Sequence, residues 1–190
     1  MNSIKKYLQQ FPHFTPSSFE IALPFLEEKE IKAGAYLLHQ GKICNQISFI
    51  EKGLFRLFYL NDGKEITTCF CKENTITCSY QSMLTQQPSD MAIQAIEDSK
   101  IISFSYQNLQ KLYQTDLFWQ QVGRMAAENE FIIAACYSRF LNDLSAQERY
   151  LQIMESDPEL LQRVPLNYLA TYLQITPETL SRIRKKISIT

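Results

Sequence analysis

Apolar residues recur along this chain with three different spacings, and the changes of spacing divide it. Near the start, Ile4, Tyr7, Leu8 and Phe11 recur at helical intervals. After Pro16 come Phe19, Ile21, Leu23, Phe25 and Leu26, so short helices are predicted here, packed as a lid on the next part of the chain. From Glu30 to about Phe104 the pattern changes to short apolar runs broken by glycine, at residues 36–38, 47–50, 55–60 and 66–71, with a last pair at 91–96 and 101–104. Asp62-Gly63 between two such runs signals a hairpin. Many short strands with glycine corners predict a roll or barrel.

A short helix around residues 107–114 leads into a long helical stretch, 116–141, with no proline and a single glycine. Within it Phe118, Val122, Met125, Asn129, Ile132 and Cys136 alternate in steps of four and three, the spacing of a coiled-coil seam. A second stripe, Trp119, Ala126, Ile133, Tyr137 and Phe140, lies beside it and is suited to the chain's own roll. Two apolar faces are more than a lone surface helix needs. The stretch is therefore either a dimer helix, with Asn129 facing its symmetry mate, or a helix buried inside one subunit. Asn142-Asp143 then reads as a hinge, Ser145 to Glu148 as a capping box, and Asp157-Pro158 as the start of another short helix.

The C-terminal stretch carries two more stripes, Leu166, Leu169, Ala170 and Leu173, then Leu180, Ile183 and Ile187, on either side of a turn holding Gln174 and Ile175. Thr176 is placed to N-cap the second helix, Pro177 to occupy its first position and Glu178 to favour its dipole. With the apolar stripe inward, the outer face presents Glu178, Thr179, Ser181 and Arg182, residue types that read base edges. Thr176, Arg184, Lys185 and Lys186 are placed for phosphates. The plainer alternative is a helical hairpin with an ordinary solvated face. The expected division is a roll with its helical N-terminus over 1–115, a dimerisation helix over 116–141 and a DNA-binding domain over 142–190.

Composition narrows the choices without making one. With 45% hydrophobic residues the 190-residue chain can build a proper core, and its formal net charge of −1 leaves only a local basic patch, RIRKK, for nucleic acid. Five cysteines without a CxxC pair signal neither a disulfide framework nor zinc, so reduced thiols are expected; the lesser alternative is that Cys69 and Cys71, on one strand face, bind a metal or sense oxidation with Cys78 and Cys44. No metal or cofactor is expected. Gly-rich phosphate loops, nucleophile elbows and HExxH are absent, which disfavours an enzyme. No apolar run has the length of a bilayer span, and the first residues lack a signal-peptide core, so a cytoplasmic protein without membrane contact is expected.

The order of residue types over 166–187 resembles the helix-turn-helix of bacterial transcription regulators, with Gln174 where the turn usually carries Gly. The stretch AGAYLLHQGKICNQISFIEKGLFRLFYLNDGKEIT, with Gly34, Gly41, Gly53 and Gly63 at its turns, resembles the cyclic-nucleotide-binding jelly roll of the Crp/Fnr family. The resemblance covers nearly the whole chain. It implies an α+β protein: a cyclic-nucleotide-binding-like jelly roll, a long dimerisation helix and a C-terminal winged-helix or helix-turn-helix domain. It implies a homodimer on a pseudo-palindromic operator of double-stranded DNA, with RNA polymerase as a candidate partner and an unidentified small molecule as candidate effector. The alternative is a small-molecule-binding roll that regulates through protein contacts. The family's phosphate cassette, a Gly-Glu pair and an Arg-Ser or Arg-Thr pair, aligns with Cys78-Ser79 and about Ser89-Asp90, so neither pair is present. No arginine occurs between Arg56 and Arg124. Ile132 and Ile133 stand where the family's long helix meets the base with hydroxyl residues. A degenerate pocket that does not bind cyclic AMP is expected, with Lys64, Lys72 and Lys100 as the nearby cations.

Overall fold

The structure, a computed structural model, describes residues 1–188. Two short helices, α1 (Asn2–Leu8) and α2 (Pro16–Ala22), precede eight strands: β1 (Glu27–Ile31), β2 (Tyr36–Leu38), β3 (Gln46–Lys52), β4 (Phe55–Asn61), β5 (Lys64–Cys71), β6 (Ile76–Thr77), β7 (Ala92–Ala95) and β8 (Ser99–Ser105). Helix α3 (Tyr80–Thr85) interrupts them. Six helices follow: α4 (Tyr106–Thr115), α5 (Leu117–Asp143), α6 (Ala146–Ser156), α7 (Pro158–Arg163), α8 (Leu166–Tyr172) and α9 (Pro177–Ser188). The chain clusters into two units, Met1–Tyr59 with Cys69–Glu128, and Leu60–Thr68 with Asn129–Thr190. The division falls inside α5 rather than at the expected hinge, because the β4–β5 hairpin tip and the second half of α5 pack with the C-terminal helices.

The strands form two sheets, ordered β1-β8-β3-β6 and β2-β7-β4-β5. The expected last pair forms as strands but not as a pair. Strand β7 lies between β2 and β4, whereas β8 lies between β1 and β3. The first sheet is covered on both faces, which explains why apolar residues run in pairs instead of alternating. Ile50 and Ile101 face the second sheet, with Phe55, Ile93 and Ala95. Their neighbours Phe49 and Ile102, with Phe104, face a helical layer containing Ile4, Leu8, Phe19, Leu112, Phe118 and Trp119. In the same register Ser48 lies opposite Ser103, and this buried polar pair closes on itself at 2.8 Å between hydroxyls. At the hairpin tip Asp62 and Gly63 both take positive φ, 50° and 76°, as the sequence signal requires. Cys69 and Cys71 do share a face of β5, with sulfurs 3.8 Å apart.

In the second unit each short helix starts on its own capping residue. Ser145 and Glu148 form both halves of a capping box on α6, and the Asp157 carboxylate accepts the Leu160 N–H on α7. Tyr150, Ile153, Val164, Leu169, Ala170, Leu173 and Leu180 make the core. The hairpin tip joins it: the Thr67 N–H donates to Thr171 Oγ1 at 3.2 Å, and the Tyr137 hydroxyl donates to the Tyr172 carbonyl at 3.2 Å. Tyr137 also stacks on Tyr172, with ring centroids 5.2 Å apart. No strand follows β8 among the described residues, so the expected wing is not part of this unit.

Candidate nucleic-acid interface and ligand cassette

Helices α8 and α9 are held by a turn of four residues. Ala170 is fully buried at their junction, and its carbonyl accepts the Ile175 N–H at 3.0 Å. Gln174 adopts φ 52°, the left-handed conformation the turn demands. Thr176 then caps α9, its Oγ1 accepting the Thr179 N–H at 3.3 Å. Leu180 is fully buried while Ile183 and Ile187 are half-buried, so the opposite face carries the polar residues.

On that face Glu178, Ser181 and Arg182 are exposed and Thr179 half-exposed. Arg182 Nη2 donates to Thr179 Oγ1 at 3.2 Å, which extends the guanidinium along the helix surface. The Glu178 carboxyl is held below the usual carboxylate range, first by the Thr176 hydroxyl, then by a backbone N–H of the helix start and by the charge of Arg182. It is therefore an acceptor at neutral pH. Lys185 is exposed, and Lys186 reaches Gln147 Oε1 at 3.2 Å while remaining on the surface. Arg184, which the sequence placed with these two, lies differently. It is half-buried, with Nη2 3.5 Å from the Leu161 carbonyl and the guanidinium 5.8 Å from the Tyr150 ring centroid, so it braces α9 against α6 and α7.

The fold brings the two aligned cassette positions together. Ser79 and Ser89 are buried with hydroxyls 2.7 Å apart, and Ser89 Oγ also accepts the Met91 N–H at 3.0 Å. The hydroxyl that in the family's pattern accompanies an arginine is thus engaged by protein groups. Cys78 is half-buried against the inter-sheet core and Asp90 is exposed. Neither Arg56 nor Lys100 is recruited as a cation here. Arg56 is buried in β4, donating from Nε and Nη2 to Gln94 Oε1 at 3.0 and 2.6 Å and stacking on Phe58 at 4.0 Å. Lys100 lies between the Glu28 and Glu51 carboxylates at 3.2 and 2.9 Å. Lys64 is exposed.

Along α5 the expected seam is only partly available. Phe118 is buried in the roll's own helical layer, edge-on to Phe14 and Trp119, and so is removed from the seam. Val122 packs against the same layer. Met125 is half-buried, and Asn129, Ile132 and Cys136 are exposed. Phe131, which neither predicted stripe included, is 76% exposed beside Ile132 at 58%. The apolar surface of this helix is therefore shifted toward its C-terminal half.

Residues 28–116 match the family model of the cyclic nucleotide-binding domain. No curated protein sequence matches the chain. Among solved structures, FixK2 from Bradyrhizobium japonicum superimposes with a TM-score of 0.76 at 17% identity, covering 86% of this chain and 85% of that one. The c-di-GMP responsive global regulator CLP of Xanthomonas campestris gives 0.69 at 16% identity, covering 92% of each chain. The catabolite activator protein of Thermus thermophilus gives 0.57 at 18% identity, covering 96% of this chain and 86% of that one. The jelly roll of two four-stranded sheets, the long α5 and the family-model match over residues 28–116 together establish that this chain has the Crp/Fnr-type cyclic-nucleotide-binding fold.

Proposed function

We propose that this protein is a dimeric, sequence-specific DNA-binding transcription regulator of the Crp/Fnr type, in which α8 and α9 form the helix-turn-helix. The observation that carries the reading is the α9 face: a Thr176-capped helix offering Glu178, Thr179, Ser181 and Arg182 on one side while Leu180 anchors the other. Arg182 reads a guanine edge, Glu178 accepts from a cytosine, and Thr176, Lys185 and Lys186 meet phosphates. A two-fold dimer through α5 sets two such helices about 34 Å apart, one turn of DNA. The roll is the sensory part, and its cassette does not hold a cyclic nucleotide.

The two kinds of contact separate in a binding assay on the operator found by footprinting the protein's own genomic DNA. Arg182→Ala is expected to cost roughly 1–3 kcal/mol on the operator and to relax specificity at one base pair. Lys185→Ala is expected to weaken all sequences alike and to lower the salt slope by about 1. Equal losses on operator and random DNA for Arg182→Ala would remove its base-reading role. Absence of any salt-dependent DNA retention would favour regulation through protein contacts instead.

A further inference from the structure

Strand β5 forms one edge of the second sheet, and it carries Cys69 and Cys71 two positions apart. Side chains two apart on a strand share a face, and here the sulfurs come to 3.8 Å, close enough for one thiol to donate to the other. The two settings differ. Cys71 is buried between the sheets in the cluster of Ile50, Phe55, Ile93 and Ile101, whereas Cys69 packs beside that cluster and is partly exposed. An accessible sulfur and a buried one thus stand in contact, the arrangement of an attacking thiol with its resolving partner. Among the described residues no group of three or more His, Cys, Asp or Glu side chains is placed to hold a metal ion, so what the pair offers is two-thiol chemistry. Cys44 provides the contrast in the same cluster. It is buried, donates to the Gln46 carbonyl at 3.3 Å, and burial pushes its thiol up.

Backbone geometry decides what a bond between Cys69 and Cys71 does. Residues two apart on a strand have Cα atoms about 6.6 Å apart, twice the rise per residue. Disulfides span about 4.4–6.8 Å between Cα atoms, so closure is possible at the long limit and draws β5 out of its pleat. A bond made at that limit is easily reduced again, as regulatory disulfides are. Two residues before Cys69, Thr67 is fully buried, its N–H donating to Thr171 Oγ1 on α8 at 3.2 Å and its hydroxyl lying 3.1 Å from the same oxygen. Contraction of β5 at Cys69 acts on this anchor directly.

We propose that Cys69 and Cys71 are a redox-active dithiol, oxidised by hydrogen peroxide to an intramolecular disulfide whose closure loosens the Thr67–Thr171 contact. The Cys69 thiolate attacks the peroxide, an S–O bond forms as the O–O bond breaks, and the departing hydroxide takes up the proton the thiol gave. The Cys71 sulfur then attacks the Cys69 sulfenic acid, the S–S bond forms, and the hydroxyl leaves as water with the Cys71 proton. Two thiols lose two electrons, the peroxide gains them, and a dithiol reductant reverses the change. Any consequence for operator affinity rests on the DNA-binding reading of α8 and α9; the dithiol and its effect on Thr67 do not.

The test treats the full chain, without DNA, with hydrogen peroxide, alkylates the remaining thiols in denaturant and cuts with trypsin, because fragment 65–72 holds both cysteines and no other. This fragment is expected to escape alkylation and to be lighter by two hydrogens, and to take two alkyl groups when dithiothreitol is added first. In Cys71→Ser the reaction is expected to stop at the Cys69 sulfenic acid, which dimedone captures. Oxidation is expected to speed deuterium exchange of the Thr67 amide about tenfold, the worth of one hydrogen bond, as Thr171→Val does in the reduced protein. A fragment that keeps both thiols under peroxide that oxidises exposed Cys136 overturns the dithiol, as does a disulfide from either residue to any other cysteine. Unchanged exchange at Thr67 in the oxidised chain overturns the link to α8. Both readings are taken on the wild-type protein, so they stand even where Cys71→Ser does not fold. Failure of either leaves the DNA-binding reading untouched, because DNA enters neither arm.

Discussion

Gln174 carries a conformational cost that its own side chain does not offset. A non-glycine residue at φ 52° is disfavoured by contact between Cβ and the following carbonyl, by about 1 kcal/mol or more. Gln174→Gly is therefore expected to stabilise the C-terminal unit by about 0.5–1 kcal/mol, read as a higher urea midpoint with unchanged slope. A lower midpoint would show that the turn draws on the glutamine side chain. Glu51 makes the complementary case. Its carboxyl is lowered to about 2, first by the Ser3 hydroxyl and then by Lys100, against partial burial that raises it. Because the folded value lies below the unfolded one, the unfolded state binds more protons between the two. The stabilisation is thus complete above about pH 4.5 and lost as pH falls toward 2. Glu51→Gln is expected to cost on the order of 2 kcal/mol at pH 7 and about a quarter of that at pH 2.5, measured by denaturation at both. An equal cost at the two pH values would show that charge is not the cause.

At the scale of elements, α5 is divided between two tasks. Its first turns bury Phe118 and Trp119 in the roll, and its later turns leave Phe131 and Ile132 more than half exposed, with exposed Cys136 one turn further on. Adjacent exposed large apolar side chains on one helix are the kind of surface that interaction sites use. On the reading proposed above a second copy of the same helix is its occupant, in line with the four-three spacing of Met125, Asn129, Ile132 and Cys136. Ile132→Glu is expected to give monomers in sedimentation at micromolar concentration, with operator affinity reduced at least tenfold, while the thermal transition of the roll is retained. A wild-type protein that sediments as a monomer under the same conditions would refute the assignment. Sheet β1-β8-β3-β6 shows a different division. With one face on its partner sheet and one under helices, every position of β8 from Ile101 to Phe104 is buried. Alternation then disappears from its sequence.

For the whole molecule, the fold of a cyclic-nucleotide-binding roll is present, and on the reading proposed above its cassette does not hold a cyclic nucleotide. A cyclic nucleotide brings one phosphate charge, and burying it needs a cation and donors in place. Here Ser79 and Ser89 are engaged with each other, Arg56 with Gln94, and Lys100 with two carboxylates. Calorimetry with cyclic AMP and cyclic GMP at millimolar concentration is expected to show no binding, and operator affinity is expected not to change with either. Micromolar binding by one of them would mean that the cassette is rebuilt from other residues.

What the sequence determined by itself is local. The caps at Ser145, Asp157 and Thr176, the Asp62-Gly63 turn and the inward stripe of α8 and α9 depend on residues a few positions apart, so their spacing is visible in one dimension. The order of these features sufficed to recognise the roll, and that positions 78–79 and 89–90 hold neither a Gly-Glu nor an Arg-Ser pair is legible in the residues themselves. Tertiary structure decided what depends on distant neighbours. It sent β7 and β8 to different sheets, since hydrogen-bonding edges and covered faces are supplied by strands far apart in the chain. Burial of Phe118 under the roll and commitment of Arg184 to Tyr150 and Leu161 followed from which surface happened to be opposite, which no periodicity records.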